Sequence, residues 1–141
     1  MRYVAPNKRV VDENAVRGGP GPGAFKLTPE DEGGLSVTEI EHFGANDAPT
    51  RVIAAVAFRA SIPSKKLGAN GLFARATVGA VKSAAAGYKK SVRVVHDPVE
   101  GNPGHAEIRH FDDNDFDLLA FFATDVFVDY EVVSAMGIPP A

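Results

Sequence analysis

Glycine and proline crowd the first part of this chain, and Arg17-Gly18-Gly19-Pro20-Gly21-Pro22-Gly23 is the stretch that most restricts its fold. Glycine loses the most backbone entropy on ordering and proline has no N–H to donate, so such a run interrupts helices and ladders alike. The pattern predicts a mobile loop over 17–23. Before it stand short strands at Arg2 to Val4 and Arg9 to Val11, and after it a strand at Ala24 to Leu27. Thr28-Pro29-Glu30-Asp31-Glu32-Gly33-Gly34 then reads as an acidic turn.

Further along, Ser36 with Glu39 three residues on has the form of a capping box. With Ile40 and Phe43 as an apolar stripe and Gly44 as a stop, it predicts a helix over Leu35 to Phe43. Val52, Ile53, Val56 and Ala57 recur at helical spacing, giving a second helix over Thr50 to Ala60. Leu72 to Gly87 carries alanines that favour helix. The alternation of Thr77-Val78-Gly79-Ala80-Val81 points instead to a buried strand, and strand is the reading taken.

The last third is the more regular. Ser91 to His96 reads as a strand, Asp97 to Gly104 as a stiff turn, and His105 to Phe111 as a strand returning beside the first. A helix opens at Asp112 to Asp117 and runs to about Tyr130, with Leu118, Leu119, Phe122, Ala123, Val126 and Phe127 on its apolar face. Strands joined by hairpins, with about three helices, make an α+β fold with a mixed or mostly antiparallel sheet. At 141 residues, one globular domain over 1–141 is expected, with a short tail at 136–141.

Composition limits what the chain does. It has no cysteine, which excludes disulfides, thiolate nucleophiles and thiolate metal sites. Its formal net charge is −3 and its cations are scattered, which disfavours duplex nucleic acid as a partner. No apolar run reaches the length of a membrane span, and Met1 to Pro6 lacks the pattern of a signal peptide. A cytoplasmic location without a membrane partner is therefore expected.

Three of the four histidines fall between His96 and His110. Alternation puts His105, Glu107 and Arg109 on one strand face, which joins a proton shuttle, a carboxylate and an anion clamp. The same pattern fits an exposed sheet face with cross-strand ion pairs. His96, Asp97, His105 and Glu107 are also competent metal ligands, although their spacing matches no ligand signature, and no metal site is assigned. Phe121 and Phe122 cannot both face one core, so a protein partner, a second copy included, is the rival to a small molecule.

Val11-Asp12-Glu13-Asn14, Asp31-Glu32-Gly33-Gly34-Leu35-Ser36-Val37, and His96-Asp97-Pro98 with Asn102-Pro103 and His105-Ala106-Glu107-Ile108 resemble a group of small bacterial proteins. That resemblance covers about Arg2 to Ala123 and implies no activity. In chain order, Arg2, Ser36 and Glu107 also resemble the ADP-ribosyltransferase superfamily, including the NAD-degrading RES-type toxins. This implies NAD as substrate and cofactor-like ligand in a toxin or a toxin–antitoxin setting. Arg2, Ser36 and Arg109 would bind it, and His105 and Glu107 would be catalytic. The alternatives are a non-enzymatic interaction module that uses the phenylalanine-rich C-terminal helix and a metal-binding protein that uses His96, Asp97, His105 and Glu107.

Overall fold

Short strands separated by breakers cannot bury both faces alone, and this chain collects them into two three-stranded sheets and a hairpin. The computed structural model describes residues 1–27 and 34–141. The acidic turn expected at Thr28 lies, but for Gly34, outside them. Strands β1 (Arg2–Val4), β5 (Leu72–Arg75) and β8 (Asp129–Val132) form the first sheet, with β5 in the middle. Strands β4 (Gly34–Thr38), β7 (His105–Arg109) and β6 (Arg93–His96) form the second, with β7 in the middle. Strands β2 (Arg9–Val11) and β3 (Arg17–Pro20) pair as the hairpin. Every pairing among the described residues is antiparallel, and helices α1 (Ala48–Ser61), α2 (Val78–Gly87) and α3 (Phe116–Phe121) complete an α+β architecture.

The sheets join at one residue pair. Met1 N donates to Thr38 O at 2.8 Å, and Thr38 N returns the bond to Met1 O at 2.8 Å. One residue further on, the Arg2 guanidinium bridges the gap: NH1 donates to Ser36 O at 2.7 Å and Nε to Ala24 O at 3.1 Å.

Leu72 and Ala74 of β5 enter the larger core, which also holds Phe25, Leu35, Ile108, Leu118, Leu119 and Phe122 under α2 and α3. Phe73 points the other way, into a smaller core with Tyr3, Ile40, Ala54, Ala55 and Met136 under α1. Met136 thus anchors the segment expected to be a tail.

The β1, β2, α1, β6 and β7 expectations agree with the structure, and five others are corrected. The Gly/Pro run is ordered: Arg9 Nε and NH2 donate to Gly18 O at 2.8 Å and Arg17 O at 3.1 Å, which fixes β3. The strand expected at Ala24 to Leu27 is a 3₁₀ turn over Pro22–Phe25 that delivers Phe25, fully buried, to the core. The helix expected at Leu35 to Phe43 is β4 followed by a 3₁₀ turn at Ile40–His42. Leu35 and Val37 alternate into the core there, and five cross-strand pairs with β7 outweigh a local capping pattern.

The strand expected over Leu72 to Gly87 ends at Arg75. Thr77 then caps α2, its Oγ1 accepting from Ala80 N at 3.1 Å. The long C-terminal helix stops early as well. α3 gives way to a π-helical turn over Phe122–Val126, in which Phe127 N donates to Phe122 O at 2.8 Å. That extra residue per turn brings Phe122 and Phe127 together onto Phe25, with ring centroids 5.9 and 4.8 Å away. The chain is then free to leave as β8.

Candidate functional site

Antiparallel register assigns the second sheet two chemically different faces. Ser36 lies opposite Glu107, Gly34 opposite Arg109, and Arg109 opposite Arg93, so these side chains share the polar face with His105. Leu35, Val37, Val94, Ala106 and Ile108 share the other, and so does His96, which pairs with Ala106.

The predicted residues Arg2, Ser36, Glu107 and Arg109 therefore form one contiguous row. Arg2 reaches the Ser36 carbonyl, Ser36 faces Glu107, and Glu107 Oε2 accepts from Arg109 Nε at 2.9 Å. The Glu107 side chain is 13% exposed and lies across Gly34, in the space a side chain there would need. His105 is held apart from Glu107 by its own partner, since its Nδ1 donates to Asp97 O at 2.6 Å. His96 points through the opposite face. That parts His96 from His105 and Glu107, and among the described residues no group of three or more His, Asp or Glu side chains is placed to hold a metal.

The Phe-rich segment is mostly interior. Phe122 and Phe127 are core, Phe121 leans on Tyr88 with centroids 5.7 Å apart, and Phe116 alone of its phenylalanines stands out, at 63% exposure. An apolar stripe along one helix is not present there. Among the described residues no helix is long and apolar enough to cross a membrane.

A concave feature lies on the apolar side of the second sheet. Where the second sheet, the ends of β5 and β8 and the start of α2 converge, a cleft of about 430 Å³ opens. Val37, Val94, Ile108 and Phe127 make its floor, with Val78 and Val81 of α2 beside them. Its walls carry Glu39, Glu41, Asp129, Asn46, Thr77 and Arg75. None of Arg2, Ser36, His105, Glu107 or Arg109 lines it.

Carboxylates outnumber guanidinium groups in this wall, and Arg75 is itself shared. Its NH1 donates to Glu131 Oε1 at 3.1 Å, and Arg51 Nε binds the same oxygen. Burial pushes the Met1 ammonium down to about 5, against the opposing fields of Glu41 and Glu39. Outside the lining, His96 Nδ1 sits 3.4 Å from Glu39 Oε1, and the His42 ring stacks on His96 with centroids 5.7 Å apart.

Sequence reasoning missed most of this cleft. Asp129 and Phe127 were assigned to one continuous helix, and Glu39 was read as half of a cap. The alternation of Val128, Tyr130 and Val132 against Asp129 and Glu131 was the signal that β8 existed. No protein family, no curated protein and no solved structure matches this chain.

Proposed function

We propose that this protein binds a small amphiphilic molecule in the cleft between its sheets. The observation that carries the reading is the cleft's composition. An apolar floor under a polar wall, in a volume of about 430 Å³, lies within the range of roughly 300–1,000 Å³ usual for small-molecule sites. Val37, Val94, Ile108 and Phe127 take the ligand's apolar body. Glu39, Glu41 and Asp129 face its polar end, which favours a cation or a hydrogen-bond donor over an anion.

2-Phenylethylamine is a suitable probe. At about a hundred times its dissociation constant a ligand stabilises the fold by roughly 2.7 kcal/mol. For a domain of this size the melting temperature should rise by about 5–10 °C. In an NMR titration the amides of Val94 and Ile108 should shift. Failure of the probe both to stabilise the protein and to move those amides would rule the reading out.

A second reading is an NAD-directed activity of the ADP-ribosyltransferase type, on the opposite face of the same sheet. The contiguous row of Arg2, Ser36, Glu107 and Arg109 favours it. In this reading Arg109 contacts the pyrophosphate and Glu107 stabilises the cationic ribose. NAD replaces the amine in the same melting experiment. A comparable rise with NAD, lost in Glu107→Gln, would select this reading over the first.

A further inference from the structure

We infer that the ligand of the cleft is a free α-amino acid with an apolar side chain, its carboxylate held by Arg75 and its ammonium by Asp129. The inference rests on the cleft being the ligand site, and it names the class of molecule that occupies it.

The distribution of charge around Arg75 carries the case. In the register of β5 and β8, Arg75 lies directly opposite Asp129, so the two side chains leave the sheet on one face, and both line the cleft. Opposite charges so placed ordinarily pair with each other. Here they do not. Arg75 turns along β8 to Glu131, where its NH1 donates to Oε1 at 3.1 Å, and Arg51 of α1 binds the same oxygen. Two guanidinium groups thus share one carboxylate, while Asp129 has no cation within ion-pair distance among the described residues. The Nε and NH2 of Arg75 have no acceptor among those residues either.

A guanidinium and a carboxylate held side by side, each with unused hydrogen-bonding capacity, match a molecule that carries the opposite charges equally close together. An α-amino acid carries them on one carbon. Its carboxylate accepts from Nε and NH2, the edge of the guanidinium that suits a two-point contact, and its ammonium donates to Asp129. Glu39 and Glu41, also in the lining, extend the negative field around that ammonium. The start of α2, at Thr77 and Val78 of the lining, places the positive end of its dipole two residues along the chain from Arg75 and adds to the hold on the carboxylate. The side chain on the same carbon is left for the apolar floor. A simple amine uses half of this wall, since it satisfies Asp129 and leaves the donors of Arg75 to water. A simple acid meets Arg75 but sets its charge against three carboxylates.

Three ligands with one apolar body separate these contacts: phenylalanine, phenylalaninamide, which has no carboxylate, and N-acetylphenylalanine, which has no ammonium. Calorimetric titration gives the dissociation constants, and the amides of Val94 and Ile108 locate the binding by NMR. Phenylalanine should bind about 10–100-fold more tightly than phenylalaninamide, the usual worth of a hydrogen-bonded charge, and at least about tenfold more tightly than N-acetylphenylalanine. Arg75→Gln should bring phenylalanine and its amide within about twofold of each other, and Asp129→Asn should narrow the gap to N-acetylphenylalanine. Arg51 still holds Glu131 in Arg75→Gln, and the wild-type series alone decides the question if a variant fails to fold.

Phenylalaninamide or N-acetylphenylalanine binding at least as tightly as phenylalanine, or either preference surviving its variant unchanged, overturns the inference and leaves the binding cleft standing. If neither these compounds nor 2-phenylethylamine moves the Val94 and Ile108 amides, the cleft reading falls as well.

Discussion

Replacing Phe122 by alanine should lower the unfolding free energy by about 3–5 kcal/mol, the usual range for deleting a buried aromatic ring. Phe122 is fully buried and is where the larger core converges. Its ring lies 5.9 Å from Phe25, 5.7 Å from Phe111 and 6.1 Å from Phe127, each edge-on. Such pairs add to the area term, because the positive edge of one ring meets the negative face of the next. A domain of this kind is stable by roughly 5–15 kcal/mol in total, so the variant stands near the limit of folding at all. Urea unfolding is the measurement, with the midpoint falling at unchanged slope. Phe116→Ala, six residues earlier on an exposed surface, is the control and should stay within about 0.5 kcal/mol of wild type. A loss at Phe122 below about 1 kcal/mol would mean that the three rings do not share a core. The effect reaches the cleft too, since Phe127 both packs on Phe122 and forms part of the floor.

This cluster also explains which parts of the fold were legible beforehand. Helix α1 was readable because one apolar period runs through Val52, Ile53, Val56 and Ala57 between a breaker and a proline, and Asp47 caps it. The hydroxyl and amide of Thr50 hold the Asp47 carboxyl below the usual range, as a cap geometry requires. Strands β6 and β7 were readable because turn residues separate two alternating runs. Phe122 to Phe127 was not readable as a π turn. Its residues favour an ordinary helix locally, and what bends it is the shared contact of both rings with Phe25, a residue about a hundred positions away.

The same contrast applies to Ser36. Taken alone, Ser36 and Glu39 suit a capping box, and no property of the two side chains says otherwise. The deciding partner is β7, which binds all five residues of β4 and draws Leu35 and Val37 into the core. At Thr77 the failure ran the other way. Cap chemistry and an alanine-rich sequence both favour a helix, and they outweigh the short alternation of Thr77 to Val81. The polar row of Arg2, Ser36, Glu107 and Arg109 followed from alternation once both strands existed. The cleft did not, because its walls come from β4, β5, β6, β8 and α2, whose meeting depends on how two sheets join.

The turn between β6 and β7 gives the second large expectation, at Asn102. This side chain is fully buried and satisfied at both ends. Its Nδ2 donates to Thr38 Oγ1 at 2.9 Å, and its Oδ1 accepts from Gly104 N at 3.1 Å. Asn102→Ala removes both bonds and leaves a buried hydroxyl and a buried amide without partners. Each such group costs roughly 1–3 kcal/mol, so about 2–4 kcal/mol in total is expected, less than the plain sum because a water can enter the vacated space. Asn102→Asp keeps the acceptor but loses the donor and puts a carboxylate at a fully buried position, so it should cost at least as much as alanine. The loss should be local before it is global. Gly104 packs under Phe43, and Gly101, at φ 84°, lies against the Ala60 backbone, so the turn is clamped between α1 and the 3₁₀ turn that carries His42. Releasing Asn102 should speed hydrogen exchange at the Gly104 amide well before the melting temperature is reached. The His96 and His105 ring resonances, at the two mouths of the turn, should broaden with it. An unchanged Gly104 exchange rate in a destabilised variant would mean that Asn102 supports the sheet through Thr38 alone, and that the stiffness of this turn comes from Pro98 and Pro103.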